Sequence, residues 1–110
     1  MAPSIFDPAE LLDLIGGDRA LLRELVDIAI EQINGQAAAF EVMLEDRAGL
    51  TRSAHVLRGV LLNLRAEEAA EIARRIESNA GSPEIKAEID ALDVALTRLG
   101  NALLEFQRNA

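Results

Sequence analysis

The 110-residue chain contains no cysteine, no tryptophan and no tyrosine, and it has a single histidine. Without cysteine there is no disulfide, no thiolate metal site and no cysteine nucleophile. That absence suits a reducing compartment. Aromatics are reduced to Phe6, Phe40 and Phe106, too few for the aromatic and β-branched composition that sheets favour. No apolar run approaches the roughly 18 to 20 residues that a bilayer-spanning helix needs. Met1 to Phe6 lacks the basic stretch followed by an apolar run that marks a secretory leader. These absences point to the cytoplasm. Gly-rich phosphate loops, zinc-ligand spacings and nucleophile elbows are missing as well, so the chain carries no recognisable ATP or metal site of its own.

What is present is aliphatic. Half of the residues are hydrophobic, chiefly Leu, Ala and Ile. Leu and Ala are among the best helix formers. The length fits one domain over residues 1–110 and not two. The formal net charge is −8, from 11 basic and 19 acidic side chains, a poor match to the phosphate backbone of nucleic acids. The charge is uneven. From Arg47 to Ala66 there are four arginines (Arg47, Arg52, Arg58 and Arg65) and no acid, and subtracting that +4 leaves −12 for the remainder. The only histidine, His55, lies inside the basic segment.

Punctuation divides the chain into helices. Asp7-Pro8-Ala9-Glu10 reads as a cap, a first-turn proline and a capping-box glutamate. Gly16-Gly17 ends that short helix. Asp18 caps a second, with a broad apolar face of Leu21, Leu22, Leu25, Val26, Ile28, Ala29 and Ile33, wide enough for a buried helix. Asn34-Gly35 interrupts it as a kink or short break, and Phe40, Met43 and Leu44 continue the spacing. One long helix to about Glu45 is therefore expected. Asp46 caps a third helix reaching about Leu64. Glu67 to Asn79 forms a fourth, with Ala69, Ile72, Ala73 and Ile76 on one side. Gly81-Ser82-Pro83-Glu84 stops it and starts the last, with Ser82 as cap and Pro83 first. There Ile85, Ile89, Leu92, Leu96, Leu99, Leu103 and Phe106 alternate at spacings of four and three, a seam for packing within the molecule, with a dimeric coiled coil as the alternative. The expected fold is all-α: an antiparallel up-down four-helix bundle with a short additional N-terminal helix.

At about 100° per residue, Leu50, Ser53, Ala54, Val60, Leu61 and Leu64 fall within roughly 60° of Leu57 and form the buried stripe of the third helix. His55 lies at about 160°, nearly opposite. Thr51, Arg52, Arg58, Gly59 and Leu62 share that outer side, the two arginines about 60° to either side of the histidine. A mid-helix glycine costs roughly 1 kcal/mol against alanine. On an outer face, what it gains is room for another surface to approach the ring. Leu62 is apolar yet faces outward, as a small docking surface does. A neutral imidazole is a good nucleophile near neutral pH, and phosphoryl transfer is largely positioning and charge stabilisation. Arg52 and Arg58 could stabilise a phosphoryl group on His55 through charge-assisted hydrogen bonds.

The run Ala54-His55-Val56-Leu57-Arg58-Gly59 resembles the signature of histidine-containing phosphotransfer (HPt) domains: a histidine, any residue, Leu, Lys or Arg, then Gly. Asn63-Leu64, and Ile76-Glu77 in the following Ala-rich helix, are similar to the family's continuation. The resemblance implies a four-helix bundle whose histidine accepts phosphate from a receiver-domain aspartate and returns it to another. It makes His55 the phosphorylated residue, Arg58 the residue that assists the phosphate, and Gly59 the residue that permits access. The implied partners are response-regulator receiver domains and/or a hybrid histidine kinase. No cofactor is implied, magnesium belonging to the receiver, and neither nucleic acid, membrane nor a metal site is expected. A monomeric phosphoryl carrier without catalytic turnover of its own is the resulting expectation. Two departures stand out. Val60, Leu61 and Leu62 occupy positions where the family has small residues, and Arg65 stands where it commonly has Gly. The alternative is a non-catalytic module of the same fold that docks a receiver or kinase without carrying phosphate. A stand-alone enzyme using His55 as general base is disfavoured, because no carboxylate lies within one turn of it on its own helix.

Overall fold

The structure, a computed structural model, describes residues 4–109. Residues 1–3 and 110 of the expected 1–110 domain, including the start of the stretch read as leader-free, lie outside the described residues. Six helices follow in order: α1 Pro8–Leu14, α2 Arg19–Ile33, α3 Gln36–Val42, α4 Arg47–Asn63, α5 Glu67–Ser78 and α6 Ile85–Asn109. There is no strand among the described residues, and none of their helices is long and apolar enough to cross a membrane.

Caps act where the sequence puts them. The side chains of Asp7, Asp18 and Asp46 each accept a hydrogen bond from the backbone N–H three residues on, at Glu10, Leu21 and Gly49. Each satisfies a donor that a helix start leaves unpaired. Ser82 takes the N–H of Glu84 on its hydroxyl and that of Ile85 on its carbonyl. The last helix accordingly begins at Ile85, two residues later than its proline suggests.

The expected single long helix to Glu45 is two helices. Asn34 is extended (φ −64°, ψ 124°), and Gly35 is left-handed with φ +78°. The ladder stops at the bond from the Asn34 N–H to the Ile30 carbonyl and restarts from the Gly35 carbonyl to Ala39. α2 is also less enclosed than its apolar face suggested. Leu22, Val26, Ala29 and Ile33 are buried, while Leu21 and Ile28 are exposed. A stripe of one residue per turn satisfies the core, and Leu25 and Ile28 border a groove instead.

α5 runs antiparallel to α4 and to α6, and α6 antiparallel to the α2–α3 arm, as the cross-links show. Arg58 of α4 meets Glu77 of α5, Arg75 and Glu68 of α5 meet Glu88 and Arg98 of α6, and Gln107 of α6 reaches Asp27 of α2. Lys86, near the start of α6, reaches Glu41 of α3, so α2 and α3 lie successively along α6. That 25-residue helix is about 38 Å long and accounts for most of the 43 Å long axis of the molecule. Its seam is the centre of the core: Ile85, Ile89, Leu92, Leu96, Leu99 and Leu103 are all buried, with Phe106 half-buried. Phe106 meets Phe6 edge-on at 6.0 Å, holding the segment before α1 against one end of the bundle.

Candidate functional site

α4 turns Leu50, Ala54, Leu57 and Leu61 into the core, joined by Leu64 just past its end. Two members of its expected buried stripe, Ser53 and Val60, are only half-buried. They border a groove of about 640 Å³ between α2, α3 and α4, with Gln32, Gln36, Arg52 and Val56. On the opposite side α4 packs closely on α5. His55 stands between these two flanks, its side chain 72% exposed.

The ring is exposed but not free. Its Nδ1 lies 2.8 Å from Oε2 of Glu77, and Nη1 of Arg58 donates to Oε1 of the same carboxylate at 3.3 Å. Glu77 is only 19% exposed. The hydrogen bond from His55 chiefly, with the positive charge of Arg58, holds its carboxyl below the usual carboxylate range against the opposing effect of desolvation. An ionised carboxylate can only accept, so the proton of the ring sits on Nδ1. In the neutral ring Nε2 then carries the lone pair, and it has no partner among the described residues. The contact fixes the angle of the ring and leaves its other nitrogen toward solvent.

The other sequence-selected residues divide. Arg58 lies one turn beyond His55 but is turned to Glu77, so at rest its guanidinium is engaged there. Arg52 is exposed, borders the 640 Å³ groove and makes no ion pair among the described residues. Thr51 is half-buried and donates its hydroxyl proton to the Arg47 carbonyl, so it belongs to its own helix. A Cβ placed on Gly59 would meet nothing within 4 Å. No packing inside the chain therefore demands that glycine. Leu62 is 41% exposed and borders a second groove of about 520 Å³, shared with Leu14, Leu25, Ile28 and Val60. Gln32 and Val60 border both grooves, which therefore adjoin.

Arg65 takes the left-handed conformation, φ +58°, that a glycine at this place would adopt without strain. The loop thus keeps a glycine's shape while carrying a side chain, which lies 3.7 Å from Glu10. Ser4 closes over it, its hydroxyl donating to the Arg65 carbonyl and its carbonyl accepting from Glu68.

Reading α4 alone missed the role of Glu77, because the residue comes from the next helix. The signal was available in the loop. In an antiparallel hairpin turning at residues 64–66, positions about equally far from Arg65 face each other, and His55 lies ten before it while Glu77 lies twelve after.

A helical bundle that offers one solvent-facing imidazole, its Nδ1 pinned by a carboxylate, suits a phosphoryl-carrying protein. The chain belongs to the Hpt domain family, whose model matches residues 19–106. Membership implies a part in two-component phosphorelay, as a carrier of the phosphoryl group rather than a catalyst. No curated protein and no solved structure matches the chain. The match begins at the start of α2, leaving α1 outside it.

Proposed function

We propose that this chain is a phosphorelay intermediate that accepts a phosphoryl group on Nε2 of His55 from a receiver-domain aspartate and passes it to a second receiver. One observation carries the reading: the bond from Nδ1 to Glu77, at 2.8 Å, which leaves Nε2 as the free nucleophile. With α2 and α3 counted as one arm, the helix order is that of an antiparallel up-down four-helix bundle. In the accepting step the Nε2 lone pair attacks phosphorus. The acyl P–O bond breaks with its electrons going to the partner's carboxylate, and no proton has to leave the ring.

Arg58 and Arg52 flank the nucleophile and supply charge to the arriving phosphoryl oxygens. Gly59 leaves the approach open. The adjoining grooves past Val56 and Val60, and past Leu62, Ile28 and Leu14, give an incoming domain apolar area near the reacting atom. The chain acts as a monomer in the cytoplasm, without a resident cofactor, and magnesium comes with the receiver.

The test is transfer from radiolabelled, phosphorylated receivers of the same organism to the protein and to His55→Gln. Label that is acid-labile, alkali-stable and absent from the variant is the expected result. Binding that survives in both proteins with no label on either would replace this reading with the docking-only one.

A further inference from the structure

We infer that Glu77 also governs the phosphorylated protein: its carboxylate holds the Nδ1 proton on the phosphohistidine ring, keeping the phosphoryl group transferable and setting how long it persists. The inference rests on the reading of His55 as the carrier, and it concerns the step after acceptance.

Once Nε2 carries phosphorus and Nδ1 keeps its hydrogen, the ring is formally a cation. When a carboxylate or water then attacks phosphorus, the N–P bond breaks and its electron pair returns to Nε2. With the Nδ1 proton in place the leaving group is neutral imidazole. Without that proton it is imidazolate, a far poorer one. Onward transfer and hydrolysis therefore draw on the same protonated ring, and whatever retains the proton promotes both.

The geometry assigns that task to Glu77. Its Oε2 is 2.8 Å from Nδ1, and an opposite charge at such a distance favours the charged ring. Its neighbours are committed elsewhere. On α5, Glu71 is bound by Arg74, and Arg75 is turned to Glu88 of α6. On α4, Arg58 and Arg52 are both positive and work against a cationic ring. Across the groove, α2 brings Glu31 to the side of Arg52 and α3 brings the neutral Gln36. Among the described residues Glu77 is the one carboxylate hydrogen-bonded to the ring. Arg58, now held by its Oε1, is placed to exchange that oxygen for one on the phosphoryl group. Glu77 is in these terms a positioning residue, acting on phosphorus only through the imidazole.

The experiment uses the full chain phosphorylated chemically with phosphoramidate, so that no partner is needed. The pH dependence of the ³¹P signal of phospho-His55 and of its decay is recorded for wild type, Glu77→Gln and Arg58→Ala. Gln can still accept from Nδ1–H, so it preserves the tautomer and removes only the charge. The expected result is that the Glu77→Gln titration moves to lower pH by about one unit, with slower loss of phosphate above neutral pH. Arg58→Ala should move the titration the other way. Profiles of the three proteins that superimpose would overturn the inference. Failure of the carrier reading shows separately, as phospho-His55 that titrates as described yet passes its phosphate to no receiver.

Discussion

At the scale of single residues, two positions break local rules, and they do so for different reasons. Gly59 sits in the interior of an exposed helix face, where alanine is better by about 1 kcal/mol, and open space surrounds its missing Cβ. Gly59→Ala should therefore raise stability by about that amount while slowing phosphotransfer, because the added methyl lies on the approach to His55. Thermal unfolding and transfer kinetics on the same sample test both halves. A variant that is stabilised and transfers at the wild-type rate would remove the access role. Arg65 breaks its rule without such a gain. A left-handed non-glycine residue costs roughly 1 to 2 kcal/mol, against which stands a 3.7 Å pair with Glu10 at a partly exposed site, and such pairs are worth about 0 to 1 kcal/mol. Strain outweighs the pair. Arg65→Gly is expected to raise the unfolding midpoint by a few degrees, roughly 4 °C or more per kcal/mol. An unchanged or lower midpoint would mean that the Ser4 and Glu10 closure over this loop is worth more than its visible bonds.

At the scale of helices, the sequence was most legible where one helix explains itself. The Asp7, Asp18 and Asp46 caps, the α6 seam and the outward placement of His55 all follow from spacing along a single helix, and all are found. Legibility failed where a neighbour decides. Ser53 and Val60 fall within the buried arc of α4 by angle, yet no helix closes over them, because α2 and α3 stand off and leave a groove. Ile28 likewise borders a groove rather than core. Glu77 was hidden because a carboxylate on a different helix completes the site. The division of the second arm lay between these cases, since Asn34-Gly35 marked an interruption without fixing how deep it goes. Gly35, at φ +78°, supplies that division. Gly35→Ala should cost about 1 to 2 kcal/mol, measured by urea unfolding, whereas a loss near zero would show that α2 and α3 can fuse into one continuous helix at no penalty.

At the scale of the whole molecule, charge decides how the protein responds to acid, and two effects compete. The chain carries −8 at neutral pH and has an isoelectric point near 4.6, so acidification first relieves self-repulsion. Against that, Glu71, Glu77 and Glu84 hold their protons more weakly than free carboxyls do. The causes are hydrogen bonds from Arg74, His55 and Ser82 respectively. A carboxyl with a lowered folded pKa binds fewer protons folded than unfolded. The stability it adds is complete above the unfolded value of 4.5 and is lost as pH falls through the lowered one. The side chains of Glu71 and Glu84 are well exposed and Glu77 keeps some solvent contact, so each contributes modestly and salt weakens it. Protonating the 19 acids at the same time leaves the 11 Lys and Arg and the single His uncompensated. Stability should thus be flat or gently rising from neutral pH to about 5, then fall below about 4.5. Unfolding midpoints taken across that range test this, with Glu71→Gln and Glu77→Gln expected to make the acid limb shallower. A limb of unchanged slope in both variants would assign acid unfolding to global repulsion alone. The Glu77 contact would then matter to the reactivity of His55 without contributing to the fold.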